Sequence, residues 1–175
     1  VCKTILAATD GSAHARKAVE VASDLAAKYG AKLVLVHVLQ QQKVPATVRR
    51  ALEVEHLAQP AESRPLPSTD LSAIAVAASD EVSASQAALR QLADAWGQQV
   101  LEEAEGAARA KGVTSIRVVM DEGDPVACVV ECAQRERADL IVVGSRGLSD
   151  LKGLLMGNVS HKLSQLAPCT CITVK

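Results

Sequence analysis

Apolar residues recur in this chain with two different periods, and each change of period marks a new element. Thr4-Ile5-Leu6-Ala7-Ala8 is a short continuous apolar run, the form taken by a strand buried on both faces. Beyond Thr9-Asp10-Gly11-Ser12 the spacing lengthens to three and four. Ala15, Ala18, Val19, Ala22, Leu25, Ala26 and Tyr29 make one helical stripe, and Gly30 ends it as a C-terminal cap. Ala31 to Leu39 is again a strand run. Strand, helix and strand in succession form a βαβ unit, whose crossover makes the strands parallel.

The second half repeats this alternation. Ser115 to Met120 reads as a third strand and Pro125 to Arg137 as a helix, with Pro125 in its first turn and Asp124 as its cap. Asp139 to Val143 is a fourth strand. A last helix runs to about Leu166, Pro168 stops it, and Cys169 to Lys175 is a fifth strand. The class is therefore α/β: an open five-stranded, mainly parallel sheet flanked by helices, flavodoxin/Rossmann-like in its winding.

Residues 41–95 interrupt the alternation. The segment exceeds what a strand-to-helix connection needs and carries Pro45, Pro60, Pro65 and Pro67. A short helix is expected over 46–57 and a break over 59–69. Ser79-Asp80 then caps a long helix to about Lys111, with Leu89, Leu92, Trp96, Val100, Leu101 and Ala104 as its apolar stripe. Residues 1–175 read as one domain with an insertion at about 41–95.

Composition narrows the function. The net charge is −1, so no electrostatic pull toward nucleic acid or an anionic membrane is expected. With no Phe, one Tyr and one Trp, a purine pocket here has to be aliphatic, and the stacking platforms of single-strand nucleic-acid binders are missing. No apolar stretch approaches twenty residues and Val1 to Leu6 reads as a strand instead of a leader, so no membrane insertion and a cytoplasmic location are expected. Five cysteines without Cys-x-x-Cys spacing point to reduced thiols. Cys128 and Cys132 stand one helical turn apart, as small core residues do. Cys169 and Cys171 share one face of a strand, where a metal or an inter-chain disulfide is the alternative.

The candidate chemistry lies between Ile141 and His161. The β-branched run Ile141-Val142-Val143 stops at Gly144, Gly147 follows, and Gly157 stands before the last helix. Glycines let a ligand approach the peptide planes, and a helix N-terminus favours phosphate. Gly157, Asn158, Val159 and Ser160 are placed to offer backbone N–H groups, with the Asn158 amide and Ser160 hydroxyl beside them. Arg146 and Lys152 either approach phosphates or stay solvated. Leu151, Leu154, Leu155 and Met156 are expected to pack as a patch within the loop. Neither Gly-x-Gly-x-x-Gly nor Gly-x-x-x-x-Gly-Lys-Ser/Thr is present, so ordinary turn glycines remain the rival reading. Asp10 stands at the C-terminal end of the first strand, where open α/β sheets bind ligands. It either meets the nucleotide or a Mg²⁺ on its phosphates, or caps the next helix. His37 is expected to be a hydrogen-bonded structural residue.

Gly144-x2-Gly147-x9-Gly157 resembles the signature of the universal stress proteins, Gly-x2-Gly-x9-Gly-Ser/Thr, with Asn158 at the Ser/Thr position. Asp10, Val36-His37-Val38 and Gly123-Asp124-Pro125 match further positions of that family, and the resemblance covers about residues 1–40 and 98–175. It implies the nucleotide-binding α-hydrolase-like variant of the fold and a site for ATP (or ADP/AMP) with Mg²⁺. The residues implied are Ala8, Thr9, Asp10, Val38, Gly123, Val143, Gly144, Arg146, Gly147, Gly157, Asn158, Val159 and Ser160, with Asp10 toward the metal. Val38 and Val143 line the adenine. It further implies a homodimer through strand 169–174. The motif supplies mainly phosphate donors where phosphoryl transfer needs a positioned base, so a nucleotide-occupied stress-response switch with at most slow hydrolysis of ATP is expected, a binding protein more than an enzyme. The alternative is a dimeric interaction module that binds no nucleotide and meets a protein partner through the insertion. An adenylate-forming enzyme is disfavoured because its Ser-Gly-Gly-x-Asp-Ser and His-x-Gly-His loops are missing. Valine at Gly144 is expected to abolish binding while the fold survives.

Overall fold

The runs and stripes fold into β1 (Thr4–Ala8), α1 (Ala13–Tyr29), β2 (Lys32–Leu39), α2 (Leu71–Ala110), β3 (Ile116–Glu122), α3 (Pro125–Glu136), β4 (Leu140–Gly144), α4 (Asn158–Leu166) and β5 (Thr170–Val174). The computed structural model describes residues 2–40, 71–148 and 157–175, and in α2 it gives side chains from Ala87 onward. By backbone proximity the chain divides into two compact units, Val1–Gln41 with Trp96–Lys175, and Gln42–Ala95. The sheet and everything described around it belong to the first. Of the second, the described part is the stretch of α2 from Leu71. The helix expected over 46–57, the break over 59–69 and the apolar patch over 151–156 lie outside the described residues.

Local chemistry sets the helix ends. Ser12 Oγ accepts from the Ala15 N–H at 3.2 Å and starts α1, while Gly30, at φ 62, ends it by donating to the Ala26 carbonyl. Asp124 caps α3 through Oδ1, which accepts from the Val126 and Ala127 N–H groups at 3.0 Å each, and Pro125 takes the first helical position. The same helix ends at Arg137, the one described non-glycine residue at positive φ (52°). Because a side chain in the left-handed region costs about 1 kcal/mol, Arg137→Gly is expected to raise the midpoint of thermal unfolding by several degrees in a calorimetric scan. The long helix α2 starts at Leu71, ahead of the expected cap at Ser79-Asp80, which lies inside it. The Ser72-Ala-Ile-Ala-Val-Ala-Ala78 run is alanine-rich, and that propensity outweighs the local capping signal.

The five strands are all parallel, in the order β3-β2-β1-β4-β5. That is the Rossmann order 3-2-1-4-5, not the flavodoxin order 2-1-3-4-5. Alternate strand residues feed two cores. Ile5, Ala7, Leu33, Leu35, Leu140 and Val142 pack with Ala18, Val19 and Ala22 of α1 and Leu101, Ala104 and Ala108 of α2. Leu6, Val34, Val36, Ile141 and Val143 pack on the other face with Val126, Val129 and Cys132 of α3 and Leu163 of α4. Helices α1 and α2 therefore cover one face and α3 and α4 the other. The switch from one face to the other falls between β1 and β4, and such a point opens a crevice at the C-terminal ends of the strands.

Polar groups fasten the opposite, N-terminal end of the sheet. Asp139 Oδ2 accepts from the Lys3 and Thr4 N–H groups at 2.6 and 3.0 Å, joining β1 to β4. Glu136, its side chain 6% exposed, meets Lys32 Nζ at 2.8 Å and Arg117 Nε at 3.1 Å, joining α3 to β2 and β3. The end strands β3 and β5 each keep one open edge among the described residues. No helix among the described residues is long and apolar enough to cross a membrane.

Candidate functional site

The structure brings the ends of β1 and β4 together with the start of α4, all at the switch point. Ala8 pairs with Val143 across β1 and β4. Past β4, the Ser145 N–H donates to the Val174 carbonyl at 2.6 Å. The Ser145 carbonyl in turn accepts from the Gly157 N–H at 2.7 Å and from Ser160 Oγ at 3.1 Å. The loop that leaves β4 is thus tied back to the first turn of α4 by one carbonyl.

Those bonds decide which groups of α4 remain available. The first N–H groups of any helix have no intrahelical partner. Here Gly157 is the cap residue, its N–H is taken by Ser145, and the helix has no side-chain cap hydrogen bond. The first intrahelical bond runs from the His161 N–H to the Gly157 carbonyl at 3.0 Å. Among the described residues, the N–H groups of Asn158, Val159 and Ser160 have no acceptor, and they carry the positive end of the helix dipole. Ser160 itself is buried and its one hydroxyl proton goes to Ser145, so it serves the loop, and its backbone N–H is what it offers an anion. The Asn158 side chain is exposed. Gly157 sits at φ −75, so its backbone conformation is open to any residue.

The two loop glycines have steric reasons that the spacing did not reveal. A Cβ on Gly144 would stand 2.7 Å from Ala15 N and His14 C, so β4 ends directly against the first turn of α1. A Cβ on Gly147 would stand 2.6 Å from Asp10 Oδ2. Asp10 is half-buried: Oδ1 accepts from the Ser12 N–H at 3.0 Å and Oδ2 from the Leu148 N–H at 2.9 Å. Ser12 Oγ donates to the Arg146 carbonyl at 3.2 Å. Sequence reasoning passed over Ser12; its place just before the α1 stripe signals the cap, but nothing local signals the bond to Arg146. Arg146 is half-buried on the loop, and Lys152 lies outside the described residues.

Around the crevice, the α3/α4 face is lined by half-buried aliphatic residues, with Ala8, Val38 and Val159 among those packed on that core. Val143 is buried beneath them. Val38 lies at the end of β2, beside β1. Gly123 follows β3, at φ 144, with its N–H donating to the Leu39 carbonyl at 3.0 Å. On the other face, α2 closes over the strand ends. A Cβ on Gly97 would meet Met120 Sδ at 2.9 Å and His37 Cδ2 at 3.0 Å, and one on Gly11 would meet Val100 at 2.9 Å and Trp96 at 3.7 Å. The single tryptophan therefore stands near Gly11. His37 is buried and donates from Nδ1 to the Thr9 carbonyl at 2.8 Å, the structural role expected of it. Thr9 is buried too, its N–H donating to the Val36 carbonyl.

The thiols are not part of this chemistry. All five cysteines are free, and burial, their largest influence, pushes Cys128, Cys132, Cys169 and Cys171 above the ordinary thiol range, which keeps them protonated near neutrality. Among the described residues no three His, Cys, Asp or Glu side chains are grouped to hold a metal. What the described residues offer is a helix start with main-chain N–H donors and half-buried aliphatic residues on the same face of the sheet.

Comparison with known proteins gives the family and the fold. The profile of the Universal stress protein family matches residues 2–66 and 54–175. The universal stress protein YxiE of Bacillus subtilis (strain 168) is 30% identical over 173 residues, covering 98% of this chain and 97% of that protein. A crystal structure of a universal stress protein in complex with cAMP is 26% identical and superposes with a TM-score of 0.63, covering 99% and 97% of the two chains. The structure of MJ0577, 20% identical, superposes with a TM-score of 0.68 over 99% and 95% of the chains and shows the shared fold.

Proposed function

The chain belongs to the universal stress protein family, and from that premise we propose that it is an adenine-nucleotide-binding regulatory protein whose ligand is ATP, or ADP or AMP. The observation that carries this reading is the row of donor N–H groups from Asn158 to Ser160, on the face of the sheet that also carries the half-buried aliphatic residues Ala8, Val38 and Val159. The phosphates settle on the start of α4, as anions do at helix N-termini, and the adenine lies against Val38 and Val143. The relative that holds cAMP supports an adenine nucleotide as the ligand class.

Mg²⁺ fits as a companion of the polyphosphate, held through phosphate oxygens, water and at most one carboxylate of the protein. The carboxylate that the sequence offers for it, Asp10, has both oxygens in main-chain hydrogen bonds. Phosphoryl transfer needs a positioned base and charge-neutralising groups in line, and the site is built mainly from neutral donors. Binding is therefore the activity, with hydrolysis slow at most. In the cytoplasm, the protein works as a homodimer joined through strand 169–174 along the open edge of β5. A protein partner reads nucleotide occupancy, with the 41–95 insertion as its contact.

One observation favours the rival interaction module: the Ser160 hydroxyl is engaged within the protein and Asn158 stands where Ser or Thr is usual. Heating protein purified without added nucleotide and assaying the supernatant separates the two. Release of about one adenine nucleotide per chain is expected after purification or after incubation with ATP. A protein that neither releases nor takes up ATP, ADP or AMP is the interaction module.

A further inference from the structure

We propose that Asp10 and Ser12 form a latch that positions the glycine loop, and that Asp10 does not act as a metal ligand. The proposal rests on the nucleotide-binding reading for its second readout only. Asp10 Oδ2 accepts from the Leu148 N–H at 2.9 Å while Oδ1 accepts from the Ser12 N–H at 3.0 Å. Ser12 Oγ donates to the Arg146 carbonyl at 3.2 Å, and accepts from the Ala15 N–H at 3.2 Å. Two bonds therefore cross from the β1–α1 turn to the β4 loop, and both begin on a residue fixed by the start of α1. Gly147 lies between them, with a Cβ there falling 2.6 Å from Asp10 Oδ2, so the loop is pressed onto the carboxylate.

The donor set argues against metal at the same oxygens. A Mg²⁺ needs near-octahedral geometry with its ligands directed at it, and both Asp10 oxygens already face main-chain hydrogens. Among the described residues Asp10 belongs to no group of three His, Cys, Asp or Glu side chains that could hold a metal. The carboxylate is the acceptor that holds Leu148 in place, and the Ser12 hydroxyl holds the Arg146 carbonyl.

The test compares Asp10→Asn, Ser12→Gly and Ser12→Thr with the wild type in two measurements. Asn at position 10 keeps the shape but leaves one of the two N–H groups without an acceptor. Gly at position 12 is nearly as good a cap as Ser but lacks the hydroxyl that reaches Arg146, and Thr restores that hydroxyl. In ligand-free protein, exchange of the Leu148 amide is expected to quicken about tenfold or more in Asp10→Asn, as loss of a hydrogen bond to a charged acceptor implies. It is expected to quicken in Ser12→Gly and to return toward wild type in Ser12→Thr. In ATP titrations, Asp10→Asn is expected to weaken binding by the same factor with Mg²⁺ and with EDTA. Unchanged Leu148 exchange in both Asp10→Asn and Ser12→Gly would overturn the latch, as would a binding loss in Asp10→Asn that appears only with Mg²⁺. A wild-type protein that binds no ATP removes the nucleotide reading and leaves the exchange result to decide the latch.

Discussion

Gly144→Val is expected to destabilise the whole fold by about 3 kcal/mol, at the upper end for overpacked sites. Its Cβ alone would lie 2.7 Å from Ala15 N and His14 C and 2.9 Å from the His14 carbonyl oxygen, and all three are backbone atoms of the α1 start. Backbone gives way only if α1 shifts, and α1 carries Ala18, Val19, Ala22 and Ala26 of the core. The sequence predicts loss of binding from an intact fold; the backbone contacts of Gly144 add a stability cost to that. Gly147→Ala is the informative contrast, because its Cβ meets a side-chain end, Asp10 Oδ2, which turns aside at the cost of its bond to the Leu148 N–H and moves no helix. Urea denaturation of the two variants should show a large loss of midpoint for Gly144→Val and a small one for Gly147→Ala. Equal midpoints would mean that Gly144 is not held by helix packing.

The second large effect belongs to Glu136. Its carboxylate, 6% exposed, lies within 2.8 Å of Lys32 Nζ and 3.1 Å of Arg117 Nε, with Arg135 Nε at 3.9 Å. Removing one member of a fully buried pair costs about 3–5 kcal/mol, and the partial exposure of Lys32 and Arg117 brings the expectation for Glu136→Ala down to about 2 kcal/mol. The hydrogen bond from Lys32, with the other cations behind it, holds the Glu136 carboxyl below its ordinary value of 4.5. The unfolded chain therefore takes up this proton at higher pH than the folded one. The stabilisation is complete above about pH 4.5 and is lost as the pH falls through the folded value. Asp139, lowered chiefly by the Thr4 and Lys3 N–H groups, changes in the same direction below its ordinary 3.8. Urea midpoints at pH 7 and about pH 3 should therefore converge in Glu136→Gln more than in wild type. An equal fall in both proteins would assign the acid sensitivity to other groups.

Much of this architecture could be read from local patterns. The runs around Ile5, Leu35 and Val142 gave strands because each fills both faces of a parallel sheet, and Gly30 and Asp124 end and start helices through bonds to residues a few places away. The family too was legible, since Gly144, Gly147, Gly157 and Asp10 keep their spacing. What those residues touch was not. Gly144 meets His14, Asp10 meets Leu148, and Ser145 meets Ser160; the first two contacts join segments far apart in sequence, and residue type carries no record of them. The early start of α2 was hidden for another reason: Ser79-Asp80 resembles a cap, and only the alanine-rich run before it argues otherwise.

The place of β1 in the middle of the sheet governs when the fold can first close. One neighbour, β2, follows within a few dozen residues, but the other, β4, is far downstream, and the Leu148 amide that Asp10 receives comes 138 positions later. A growing chain that has emerged only as far as β3 has a central strand with one bare side and no α4. The start of α4 has yet to be synthesised at that stage. Such distant pairing is slow to close, and until it does the exposed edge of β1 is a point of vulnerability to association with other chains.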